Sequence, residues 1–109
     1  MDADEFKRQM AAFSADYRAG LPAKLERIDV LWQTLRSGAS DTGSCVELLR
    51  GLHTIAGSAK TFGLSAVGDA ARTAENFLEP FCAAGAMPLA ADREAFGQLL
   101  GALRLSAGS

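Results

Sequence analysis

The sequence predicts an all-α protein, an antiparallel four-helix bundle with an additional or kinked N-terminal helix. Three observations carry this. Every periodic apolar segment has the helix period, with steps of three and four residues. No segment alternates apolar and polar residues long enough to be a strand. The periodic segments are long, the breaks between them are short, and each segment has one apolar stripe, the pattern of helices packed side by side.

The first segment places Phe6, Met10, Phe13 and Tyr17 on one face, and the stripe resumes as Leu21, Leu25, Ile28, Trp32 and Leu35. Asp2 and Glu5 form a capping-box-like start. Gly20 and Pro22 interrupt the run. Proline lacks an N–H and clashes with the preceding turn, so a kink or a break is expected there, and a break would raise the helix count to five.

Residues 37–43 read as a loop by composition. Ser44 and Glu47 then make an S-x-x-E capping box that starts the next helix. Its stripe is Leu48, Leu52, Ile55, Ala59 and Phe62, and Gly63 stands where a left-handed C-cap belongs. Ser65 is the expected N-cap of a third helix with a broad face of Val67, Ala70, Ala71, Ala74, Phe77, Leu78 and Phe81. Pro80 should bend or shorten it. A break at Gly85-Ala86-Met87-Pro88 precedes a final helix bearing Phe96, Leu99, Leu100 and Leu103, weakened by Gly97 and Gly101. Residues 106–109 are expected to fray.

At 109 residues the chain suffices for one domain, 1–109, with one core. The net charge of −2 argues against a general nucleic-acid binder, which would be basic. No apolar run approaches the roughly 20 residues of a membrane span, so no membrane role is expected. The acidic start, Met1-Asp2-Ala3-Asp4-Glu5, has no apolar signal region behind it, and a cytoplasmic location is expected. Cys45 and Cys82 form no CxxC motif and read as two reduced thiols in or near the core. With one histidine, a zinc site is not expected.

That histidine, His53, is the candidate reactive group. A helix turns about 100° per residue, which sets His53 roughly 140° from the inward stripe of its helix. It faces solvent. Gly57 falls on the outermost side, one turn on. Lys60 and Arg50 lie near the same line, and Val46 adds an apolar spot. Free imidazole titrates near pH 6.5, so its neutral form is available as a nitrogen nucleophile near neutrality. A glycine lets a partner approach without meeting a side chain. Cations offset phosphoryl charge. A lone imidazole beside bare backbone suits chemistry delivered by another macromolecule. The residues therefore point to His53 as phosphoryl acceptor and donor. Gly57 and Lys60 are its support, and Val46 and Arg50 are docking candidates. A lone surface histidine is more often inert, and an incidental histidine in a non-catalytic helical adaptor is the reading to weigh against this one.

The run Leu52-His53-Thr54-Ile55-Ala56-Gly57-Ser58-Ala59-Lys60-Thr61-Phe62-Gly63 resembles the signature of histidine-containing phosphotransfer (HPt) domains, roughly H-x-x-K-G-S-x-x-x-x-G. Ala70, Ala71 and Glu75 resemble a further family pattern in the next helix. Where the family often has lysine, three residues after the histidine, this chain has Ala56, and Lys60 is the candidate to supply the cation from the other side of Gly57. The apolar stripes suffice for a monomer, and the resemblance implies a four-helix bundle that carries a phosphoryl group in a phosphorelay of two-component signalling. The group would pass from the aspartate of a hybrid sensor kinase's receiver domain to that of a response regulator. It also implies a carrier rather than a kinase, with no cofactor of its own and Mg²⁺ held by the receiver partner; no glycine-rich phosphate loop is present. The N-terminal phosphotransfer domain of a chemotaxis-type histidine kinase fits the same motif.

Overall fold

The computed structural model describes residues 2–37, 42–85 and 90–108. They form four helices: α1 (Ala3–Arg36), α2 (Thr42–Thr61), α3 (Ser65–Ala84) and α4 (Ala90–Ser106). Among the described residues there is no strand. The chain is an all-α four-helix bundle. Its core is Leu48, Leu52 and Ile55 of α2, Val67, Ala71, Ala74 and Leu78 of α3, Phe96, Leu100 and Leu103 of α4, and α1 from Tyr17 onward.

The expected kink or break at Gly20–Pro22 does not divide the first helix. α1 is continuous over 34 residues with Pro22 inside it. Pro22 is exposed, as is Pro80 within α3, which is not shortened but runs on to Ala84. On a solvent face, water can take up the carbonyl that each proline leaves unbonded. The described residues form four helices, not five. The N-terminal half of the first stripe also differs from expectation. Phe6 and Phe13 are more than half exposed, and burial on α1 begins at Tyr17. At about 1.5 Å per residue α1 spans about 51 Å, close to the 53 Å length of the whole molecule. Its first four turns bury no side chain.

The caps differ in detail. Asp2 caps α1, its carboxylate accepting the Glu5 N–H at 2.7 Å. α2 starts at Thr42, so Ser44 is a buried residue inside the helix rather than its cap. Glu47 is bonded to Arg27 of α1 instead. Ser65 is the first residue of α3, and the N-cap is Leu64, with no side-chain bond. Gly63 has φ +81°. Leu64 N–H reaches the Ala59 carbonyl at 2.8 Å and Gly63 N–H that of Lys60 at 3.2 Å, the paired bonds of a Schellman stop. Gly85 ends α3 in the same left-handed region. Of the expected loop at 37–43, Thr42 and Gly43 are instead the first residues of α2, and 38–41 lie outside the described residues, as does most of the break at 85–88. The tail is more ordered than composition suggests: α4 extends to Ser106, and Ala107 packs on the core.

The cysteines are not two separate thiols. Cys45 and Cys82 form a disulfide, with Cα atoms 5.8 Å apart. The antiparallel arrangement of α2 and α3 brings the first turns of one against the last turn of the other, so residues 37 apart in sequence become neighbours. A search for CxxC spacing cannot see such a pair.

Candidate functional site

His53 lies midway along α2 with its side chain 65% exposed. The inward stripe beneath it, Leu48, Leu52 and Ile55, is at most 1% exposed and holds this face of α2 outward. The ring is nevertheless not free to turn. Its Nδ1 lies 2.6 Å from Oε2 of Glu75 on α3. An ionised carboxylate only accepts, so in the neutral imidazole Nδ1 carries the hydrogen and Nε2 keeps its lone pair. Glu75 is itself buried, with a side chain 10% exposed. Arg72, one turn earlier, donates Nη1–H to Glu75 Oε1 at 2.6 Å. The same nitrogen stands 3.5 Å from His53 Nδ1. The site is thus a three-residue cluster across the α2–α3 seam.

Gly57, one turn beyond His53, is exposed, and a Cβ built there would meet nothing within 4 Å. No close helix contact accounts for the glycine. Ser58 is accounted for structurally. Its hydroxyl donates to the Thr54 carbonyl at 2.7 Å. With that hydrogen committed, the Tyr17 hydroxyl at 2.8 Å donates to Ser58 Oγ. Tyr17 also stacks on Phe62 with ring centroids 5.0 Å apart. These contacts fasten α1 to the end of α2.

The other sequence candidates are dispersed. Lys60 does not meet His53; its Nζ is 2.8 Å from Asp69 on α3. Ala56 is 1% exposed and faces the core. Val46 is 41% exposed, and Arg50 is exposed on the rim of a groove between α1 and α2. That groove, about 470 Å³, has Ile28, Leu31, Gly51 and Ile55 as its floor and reaches Thr54, beside the imidazole. Lys24 and Arg27 stand on its other wall.

Sequence reasoning missed Arg72 and the role of Glu75. For Glu75 a signal existed. It sits four residues after Ala71 and three before Leu78, inside the apolar face of α3, and a carboxylate there must find a partner. Nothing in the sequence tied Arg72 to His53, because their contact depends on the register of two helices.

No helix among the described residues is long and apolar enough to cross a membrane. No curated protein and no solved structure matches the chain. Residues 12–106 match the Hpt domain family, covering α1 from residue 12, the other three helices and the His53 cluster, and the chain belongs to that family.

Proposed function

We propose that the chain is a phosphorelay intermediate that carries a phosphoryl group on Nε2 of His53. The family's role is histidine phosphotransfer, and its members work with receiver domains of two-component systems. The observation that carries the finer reading is the 2.6 Å contact between Nδ1 and Glu75. It leaves Nε2 as the nucleophile on the solvent side. In the forward step, Nε2 attacks the phosphorus of a receiver's aspartyl phosphate. The Nε2–P bond forms, the P–O bond breaks, and the receiver carboxylate leaves. The ring becomes cationic while keeping its Nδ1–H, and Glu75 stabilises that charge. In the reverse step the ring leaves as neutral imidazole. Both steps need donor, phosphorus and acceptor in line, which requires an unobstructed approach to Nε2, and Gly57 leaves that side open.

The receiver docks over the α1–α2 groove, with the apolar floor supplying contact area and Arg50 a charge for its acidic site. Val46 extends the apolar part. Mg²⁺ is held by the receiver's acidic pocket, and the chain itself brings no cofactor. The relay operates in the cytoplasm, as a monomer. The test is to incubate the chain with a phosphorylated receiver and follow acid-labile, base-stable label. Wild type should gain it and His53→Gln should not, with the fold intact because the ring lies outside the core. Label persisting in the variant excludes His53 as the carrier.

A further inference from the structure

The α2–α3 seam brings a basic side chain of α3 beside His53. At the position one turn after His53 stands Ala56, buried against α3. The two helices run very close there. A Cβ built on Gly68 of α3 would lie 3.3 Å from the Ala56 carbonyl oxygen and 2.7 Å from Lys60 Cγ. Residue 56 therefore points into a seam with little room for a long side chain. Lys60, the other basic residue of this turn, lies along Gly68 and is held by Asp69 at 2.8 Å. In the antiparallel register that sets Lys60 against Gly68 and His53 against Glu75, Arg72 stands opposite Ala56. It is the basic side chain that reaches the imidazole, Nη1 to Nδ1 at 3.5 Å.

We propose that Arg72, from α3, is the cation that neutralises the phosphoryl group carried on His53. The proposal rests on the phosphocarrier reading and names a further residue for it. The guanidinium has five N–H donors. Nη1 serves Glu75 and faces the ring; among the described residues Nε and Nη2 have no protein partner. Arg72 is anchored through Nη1 by a buried carboxylate, and its side chain as a whole is 44% exposed. Its contact with the imidazole is at the Nδ1 edge, so serving phosphoryl oxygens on Nε2 takes a turn of the long side chain that swings the Nε and Nη2 donors across the ring. A guanidinium suits this because its planar fork matches the oxygens of a phosphoryl group. The small residue at 56 and the glycine at 68 are then what let α3 come close enough to deliver it.

The test uses phosphoramidate, a small chemical donor, and separately a phosphorylated receiver. With phosphoramidate the P–N bond to its nitrogen breaks, the Nε2–P bond forms, and ammonia leaves with the proton. Rates of phosphohistidine formation are followed by ³¹P NMR in wild type, Arg72→Gln and Arg72→Lys, with thermal melts as the fold check. Arg72→Gln should react roughly tenfold more slowly with both donors, the modest side of what one charged donor contributes because Arg72 is partly exposed. Arg72→Lys should return to within about threefold of wild type. Should Arg72→Gln fail to fold, Arg72→Met replaces it as the neutral variant. A neutral variant within twofold of wild type, or a loss that lysine does not rescue, overturns the role of Arg72 and leaves the carrier standing. A wild-type chain that gains no label on His53 from either donor removes the carrier reading itself, and Arg72 with it.

Discussion

His53 owes its proposed chemistry to a residue 22 positions away. The buried Glu75 carboxylate holds Nδ1–H at 2.6 Å, and this one bond selects Nε2 as the reactive atom. Glu75→Gln keeps the shape but offers an amide, which can also donate to Nδ1 and so favour the other tautomer. It should slow phosphoryl transfer by roughly 10–100-fold, as when the partner that orients a metal-bound histidine is lost. ¹⁵N shifts of the ring should show the Nδ1–H tautomer in wild type and a mixture in the variant. A variant with unchanged tautomer and rate would make Glu75 a structural residue only. Gly57 makes a separate prediction. Since nothing lies within 4 Å of a Cβ there, Gly57→Ala should be neutral or stabilising by up to about 1 kcal/mol in a chemical melt. Gly57→Gln should slow transfer from a receiver by obstructing approach, while reaction with a small chemical donor continues. Equal rates with a receiver would remove the access role.

At the scale of elements, the periodicity of three and four located all four helices, because each needs one continuous apolar stripe to enter the core. The site's own helix was legible for the same reason: the stripe of Leu48, Leu52 and Ile55 forces His53 outward. Whatever depends on how two helices meet was not legible. The Arg72 contact, the Lys60–Asp69 pair and the disulfide all arise from the α2–α3 register. Helix punctuation misled where exposure overrides it, as at Pro22 and Pro80. The phenylalanines Phe6 and Phe13 kept the helical period yet reach no core, since the remaining helices stop short of that end. The disulfide yields a stability prediction. Closing a loop with a sequence separation of 37 removes unfolded-state entropy worth about 4 kcal/mol in the chain-entropy view. Reduction should lower the melting temperature by roughly 4–8 °C for each kcal/mol lost. A thiol assay follows the reduction, and Cys45→Ser/Cys82→Ser should melt with the reduced protein. Identical melting of oxidised and reduced chains would show that packing alone holds this end.

The whole molecule is a compact bundle with one long helix that overshoots it. The family match begins at residue 12, and burial on α1 begins at Tyr17. Removing residues 1–11 should therefore shift the melting temperature by only a few degrees, since exposed termini contribute little, and should leave His53 labelling intact. A large loss of stability would mean that the exposed Phe6 face is covered in solution. The bundle's task in this account is to hold one imidazole outward, fix which nitrogen reacts, and leave the approach to it open. The most direct measurement is the position of the phosphoryl group on the ring. After phosphorylation by a receiver, ¹H–¹⁵N and ³¹P correlation spectra should show a single phosphohistidine, His53, with phosphorus on Nε2 and hydrogen on Nδ1. Phosphorus on Nδ1, or a labelled residue other than His53, would contradict it.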